Sequence, residues 1–183
     1  MSAAASTSTG LPVWAVVTPH RREHIERVTA LLAQWAGAMA VPPEEAAAWR
    51  DAGLWHDALR DAPSDALRAL VGDSTRPAEM LHGPAAALRL ERDGERRADV
   101  LQAVRWHTVG CASWSRTGRA LYLADYLEPG RSYARRQRAL LAARVPRDFD
   151  GVLRSVVRAR IGWALREGNP LFAETVELWN QVR

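Results

Sequence analysis

The stretch Asp51-Ala-Gly-Leu-Trp-His-Asp-Ala-Leu-Arg-Asp61 sets an adjacent histidine and aspartate, His56 and Asp57, among Ala, Leu and Trp. The apolar spacing predicts a helix that starts at Pro42-Pro43-Glu-Glu and stops before Pro63, with this pair inside it. A carboxylate buried without a partner is costly and either neutralises or finds a counter-charge. A metal ion is the best candidate for that partner. Successive helical residues lie about 100° apart, so His56 and Asp57 cannot point the same way, yet both can reach a cation beside the helix. Asp61, four residues after Asp57, shares its helical face. A His-Asp dipeptide arises often by chance, so its weight depends on the rest of the chain.

Upstream, Thr18-Pro19 opens a helix from Arg21 to about Met39, with Ile25, Val28, Leu31, Leu32 and Trp35 at helical spacing. His24 stands on or beside that apolar face; the bland alternative is a surface histidine in the first turn. Gly53, just ahead of the His-Asp pair, suits a close helix approach or a kink. Downstream, Ser64 caps a short helix to Val71, and Met80-Leu-His-Gly-Pro84 opens another that ends near Asp93-Gly94. His82 falls at that helix N-terminus, where backbone N–H groups favour anions. The helix from Arg97 ends at His107-Thr-Val-Gly110, glycine being the stop signal, and a last-turn histidine can serve only the helix dipole. The helix from Gly118 to Leu127 embeds Asp125 among apolar residues. Arg135-Arg136-Gln-Arg138 reads as a solvated basic face. Phe149 to Leu165 is amphipathic, with Val152, Val156, Ala159 and Trp163 on one side, and a terminal helix spans Leu171 to Val182.

At 183 residues, with 48% hydrophobic content rich in Ala and Leu and little strand-like alternation, the chain reads as all-α and long enough for a substantial core. A net charge of +4 and a pI near 10.1 come from 25 arginines and no lysine. Arginine's planar fork suits phosphate, but the excess is too small to imply nucleic acid. The single cysteine, Cys111, excludes an intramolecular disulfide and makes cytoplasm the default. No stretch reaches the roughly 18 apolar residues of a membrane span. Residues 1–17 read as a disordered or extended N-terminal tail, with Leu11 to Val17 packing as an arm, and residues 18–183 as one domain.

Four of the five histidines, His24, His56, His82 and His107, fall in different helical segments near helix ends or apolar faces, as do Asp57 and Asp125. Such a set can converge on one interior pocket. Imidazole and carboxylate without thiolate suit a divalent or trivalent transition metal, iron first, with Mn, Co, Ni or Zn as alternatives, in one or two ions.

The order His24, His56-Asp57, His82, His107, Asp125 resembles the motif order of HD-domain metal-dependent phosphohydrolases. The segments Leu81-His-Gly-Pro84, Ala103-Val-Arg-Trp-His-Thr-Val-Gly110 and Leu123-Ala-Asp-Tyr-Leu-Glu-Pro-Gly-Arg131 are similar to its YqeK-like branch, which splits diadenosine tetraphosphate symmetrically. The resemblance implies an HD-domain helical bundle with a metal on His24, His56, Asp57 and Asp125. It implies a second metal or substrate phosphates at His82 and His107, and Arg21, Arg60, Thr108 and Arg131 near the phosphates. Asp61 would orient the attacking water or take its proton. The implied reaction is attack of metal-bound hydroxide on an inner phosphorus, giving two ADP. The other reading is an HD phosphohydrolase of a mononucleotide or other phosphate ester. A non-catalytic nucleotide- or RNA-binding module is disfavoured because every motif ligand is present. The expected partner is a nucleotide, with no membrane and no nucleic acid; a homodimer is compatible with the sequence.

Overall fold

The structure is a computed structural model and describes residues 10–183. The first nine residues of the expected tail therefore lie outside the described residues. Nine α-helices and one short 3-10 turn make up the described secondary structure, with no strand among those residues. The helices are α1 (Pro19–Ala38), α2 (Pro43–Trp55), α3 (Ser64–Val71), α4 (His82–Arg92), α5 (Ala98–Trp106), α6 (Arg116–Leu127), α7 (Arg135–Arg144), α8 (Phe149–Arg166) and α9 (Ala173–Val182), and the 3-10 turn is Ala78–Met80.

Apolar periodicity accounts for the packing of the first two helices. Thr18 caps α1, its hydroxyl accepting from Arg21 N–H, and Ile25, Val28, Leu32 and Trp35 form the buried face. That face meets α2 and α6. A Cβ on Gly53 would lie 2.8 Å from Leu32 Cδ1 and 3.3 Å from Thr29 Cα, so glycine is what lets α2 approach α1. The main core gathers α1, α2, α5, α6, α8 and α9 around Trp35, Trp49, Leu121, Leu123, Leu153 and Leu178. A smaller cluster, Leu59, Leu67, Leu81, Leu90, Leu101 and Val104, sits under α3, α4 and α5.

Several sequence expectations change. The helix expected to run to Pro63 ends at Trp55. His56 is its C-terminal cap, and the chain then winds through tight turns with Ala58 N–H bonded to Trp55 O, Arg60 N–H to Asp57 O and Ala62 N–H to Leu59 O. His56 and Asp57 are therefore not inside a helix, and Asp61 does not share a helical face with Asp57. The physical reason is the arm. Val16 N–H donates to Ala58 O and Val16 O accepts from Asp61 N–H, so extended chain supplies the backbone partners that a continuing helix would have supplied. Leu11 is buried, and Trp55 Nε1–H donates to Gly10 O. Ser64 is the first residue of α3, not its cap; Pro63 holds the cap position without a side-chain bond. Ala159 and Trp163 lie outside the core, because α8 is covered by its neighbours only along its first half.

The basic run is a solvated face at Arg135 and Arg136 but not at Arg138. Arg138 on α7 is 2% exposed and donates to the carbonyls of Tyr126, Glu128, Arg131 and Tyr133. Its guanidinium lies 4.9 Å from the Tyr133 ring centroid. One fork thus organises the Glu128–Tyr133 loop that follows α6. Hydrogen bonds from a charged donor contribute about 1.5–3 kcal/mol each, and their loss leaves buried acceptors unpaired. Arg138→Met is expected to lower unfolding free energy by roughly 3 kcal/mol in urea titration, with Arg138→Lys recovering less than half because an ammonium cannot fork. A loss under about 1 kcal/mol for Arg138→Met would show that the fork does not hold the loop.

Candidate metal centre

The six histidine and aspartate positions singled out in sequence come together at helix ends. Helix termini leave backbone carbonyls without intrahelical partners, and the site uses these to orient its imidazoles. His56, capping α2, has Nδ1 2.8 Å from Gly53 O. His107, capping α5, has Nδ1 2.8 Å from Val104 O. His82, the first residue of α4, has Nδ1 2.7 Å from Glu79 O in the 3-10 turn. A carbonyl only accepts, so each Nδ1 carries a proton and donates it, and each Nε2 turns a lone pair inward. His24, on α1, is oriented by an acid instead, with Nδ1 3.3 Å from Glu128 Oε1.

Those Nε2 atoms surround Asp57. Asp57 Oδ2 lies 3.6 Å from His24 Nε2 and 3.5 Å from His56 Nε2. Asp57 Oδ1 lies 3.1 Å from His82 Nε2 and 3.4 Å from His107 Nε2. His82 and His107 bring their Nε2 atoms within 3.0 Å of each other. Two triads result, His24–His56–Asp57 and Asp57–His82–His107, each with ligand atoms within 4.8 Å and all residues buried. They share Asp57, one oxygen to each side. Asp125 Oδ1 joins the first side, 3.2 Å from His24 Nε2. Close approach of α4 to α5 depends on Gly83, where a Cβ would meet Val104 O at 2.7 Å and Arg105 O at 2.9 Å.

Electrostatics fit a cation. Burial pushes His56 down to about 4 and holds His82 below its usual value, so both imidazoles are neutral. Burial opposes ionisation of Asp57, but the surrounding imidazoles, His56 first and then His107 and His82, outweigh it and hold the carboxyl well below its usual range. Burial likewise opposes Asp125, and Arg131 and His24 outweigh it. On His24 burial lowers the pKa, yet hydrogen bonds to Asp125 and Glu128 prevail and raise it to about 9. The pair His82–His107 with Asp57 Oδ1 is therefore three acceptors facing one another, a repulsive cluster until a proton or cation enters. Imidazole nitrogen and carboxylate oxygen suit one or two divalent transition-metal ions.

Each acid also holds an arginine. Arg21 Nη1 donates to Asp57 Oδ2 at 2.7 Å, Arg131 Nη2 to Asp125 Oδ1 at 2.5 Å, and Arg27 Nε to Glu128 Oε2 at 2.6 Å. Arg60 lies on the turn after α2, near enough for its charge to disfavour protonation of His82. Thr108 Oγ1 is 3.4 Å from His107 Nε2. Asp61 stands apart from the triads: its Oδ2 accepts from Thr18 N–H at 2.7 Å and Thr18 Oγ1–H at 2.9 Å, and its Oδ1 is 3.9 Å from Arg21 Nε.

Sequence reasoning assigned no role to Glu128 or Arg160. Glu128 is 1% exposed and accepts from His24, Arg27 and Gly130 N–H. An acid at a helix C-terminus opposes the dipole, which is the signal that could have marked it. Arg160, on α8, donates to Thr108 O at 2.9 Å and lies 3.8 Å from Asp125 Oδ2. No local pattern announces it.

Comparison with known proteins places these residues in context. The family model for the HD domain matches residues 21–130, from Arg21 to just past Asp125 and Glu128. A symmetrical bis(5'-nucleosyl)-tetraphosphatase of Halalkalibacterium halodurans is 30% identical over 177 residues, covering 91% of this chain and 90% of that protein. The enzyme of the same name from Bacillus subtilis is 26% identical over 175 residues, covering 90% of each. A crystal structure from Clostridium acetobutylicum, described as a "predicted HD superfamily hydrolase involved in NAD metabolism", superposes with a TM-score of 0.79 at 25% identity, covering 91% of this chain and 90% of that one.

Metal removal gives a direct test of the centre. A ligand at about 100 times its Kd stabilises by about 2.7 kcal/mol, which for a domain of this size is roughly 5–10 °C in Tm. Chelation is expected to lower the Tm of metal-loaded protein by that amount and to leave Asp57→Asn unchanged in calorimetry. By elemental analysis, His82→Ala should keep the ion on the His24–His56 side, whereas Asp57→Asn should lose all bound metal.

Proposed function

The chain belongs to the HD-domain family of metal-dependent phosphohydrolases, in its YqeK-like bis(5'-nucleosyl)-tetraphosphatase branch, and on that premise we propose that it cleaves diadenosine tetraphosphate symmetrically to two ADP. The observation that carries this reading is the shared Asp57 carboxylate, flanked on both sides by inward-facing imidazoles and paired with Arg21, with Arg131 on the neighbouring Asp125. His24, His56, Asp57 and Asp125 would hold a metal, with His82 and His107 serving a second ion or the substrate phosphates, and such a metal would supply hydroxide near neutral pH and neutralise phosphate charge. Similarity to the enzymes from Halalkalibacterium halodurans and Bacillus subtilis, at 30% and 26% identity along nine-tenths of the chain, supports the nucleotide assignment.

The chain's own residues then do the positioning. Phosphoryl transfer depends chiefly on alignment and charge compensation. Arg21 and Arg131 pair with Asp57 and Asp125, which sets their guanidiniums beside the centre, where phosphate oxygens would meet them. Arg60, beside His82, and the Thr108 hydroxyl, beside His107, complete the phosphate contacts on the other side. Asp61 orients the attacking water or takes its proton through Oδ1, while Thr18 holds Oδ2. Iron is the first choice of metal, as the imidazole and carboxylate donors suit it.

The alternative within the family is hydrolysis of a mononucleotide or other phosphate ester. Product analysis decides. Metal-loaded protein given diadenosine tetraphosphate should yield two ADP, and ATP plus AMP would contradict symmetric cleavage. Preference for a monophosphate in a substrate panel would favour the alternative. Asp57→Ala should lose at least about a thousandfold in kcat/KM, on the order of 4 kcal/mol, while circular dichroism shows the helices retained.

A further inference from the structure

Between α8, α9 and the 3-10 turn lies a cavity of about 320 Å³ whose walls include Met80, Thr108, Tyr122, Arg160, Trp163 and Phe172. That volume falls in the range of small-molecule sites, about 300–1,000 Å³. The cavity adjoins the metal centre, sharing two wall residues that touch it. The Thr108 hydroxyl stands 3.4 Å from His107 Nε2, and the Arg160 guanidinium stands 3.8 Å from Asp125 Oδ2. Arg160 is held in place, donating to Thr108 O and lying 4.5 Å from the Tyr122 ring centroid. The outer wall is fixed too. Thr175 Oγ1–H on α9 donates to Val109 O at 2.6 Å, and Glu174 pairs with Arg76, whose guanidinium covers the Trp106 ring.

Trp163 stands on the half of α8 that no neighbour covers, and there it faces the cavity. The helical period of α8 places it on the side of Val152 and Val156, both fully buried, yet its side chain is 55% exposed at the cavity. Phe172, at the start of α9, contributes a second aromatic wall. Aromatic faces with few charges, next to a cation that reaches toward a phosphate-handling centre, match a flat heterocycle joined to an anionic chain.

We propose that this cavity is the nucleobase subsite: one base of a nucleoside polyphosphate stacks on Trp163 beside Phe172, and Arg160 guides the attached phosphates to the metal centre. The proposal rests on the reading of the substrate as a nucleotide. It makes Trp163 a specificity residue that acts on the base and not on the phosphates. Stacking on one aromatic is sequence-tolerant, so the subsite accepts any base and favours purines by their larger face.

The test is calorimetric binding of ADP and of inorganic pyrophosphate to metal-loaded, full-length protein, for wild type, Trp163→Ala and Trp163→Phe. Trp163→Ala is expected to weaken ADP about tenfold and to leave pyrophosphate unchanged, with Trp163→Phe keeping most of the ADP affinity. KM for diadenosine tetraphosphate should rise by a similar factor at unchanged kcat. Equal weakening of ADP and pyrophosphate would overturn the proposal, since Trp163 would then act through the fold or the metal centre. Unchanged ADP affinity would overturn it as well, the base lying elsewhere. Cleavage to two ADP with no effect of Trp163→Ala sinks the subsite alone. A wild type that does not cleave diadenosine tetraphosphate, but whose preference for ADP over pyrophosphate collapses in Trp163→Ala, sinks the substrate and keeps the subsite.

Discussion

Four imidazole Nε2 atoms converge on the two oxygens of one buried carboxylate, Asp57, and the fold is arranged to hold them there. Left to themselves these groups would separate, because the neutral His56 and His82 imidazoles with inward lone pairs and the ionised carboxylate repel one another in a medium that screens poorly. Three of the rings are prevented from turning by backbone carbonyls three residues earlier in the chain. The fourth is prevented by Glu128. Helix ends provide this restraint at almost no structural cost, since their terminal carbonyls need a donor in any case.

The next layer of the structure manages charge. Asp57, Asp125 and Glu128 are all nearly buried, and each is joined to an arginine that reaches from a more exposed position. A buried acid that loses its partner is far more destabilising than the pair is stabilising, so these arginines keep the centre foldable without a metal. On the proposed function, two of these guanidiniums, Arg21 and Arg131, are also the groups that an anionic substrate would meet. Arg138 extends the arrangement outward by fixing the loop that carries Arg131. The N-terminal arm does so on the opposite side by pairing with the turn that carries Asp57.

How much of this was legible in sequence varied with the range of the interactions involved. The helices of residues 19–38, 82–106 and 149–166 follow from apolar periodicity and caps, which are local. His24, His56, Asp57, His82, His107 and Asp125 were visible because each is a polar group on an apolar element, and their order resembled a known family. The end of α2 at Trp55 was not visible, because the helix pattern continues and only the distant arm breaks it. Arg138 and Trp163 misled in opposite directions for one reason. Whether a side chain is covered depends on which elements pass over it, and neither charge nor helical period records that.

By itself, then, the sequence determined an all-α chain with a histidine and aspartate set ready for a metal, since periodicity, capping and donor chemistry are properties of short segments. Only the tertiary structure decided that Asp57 is shared between two triads. It also decided that Glu128 and Arg160 stand behind the ligands, and that Trp163 opens onto a cavity beside them. Those are relations between residues far apart in the chain, set by how helix ends meet.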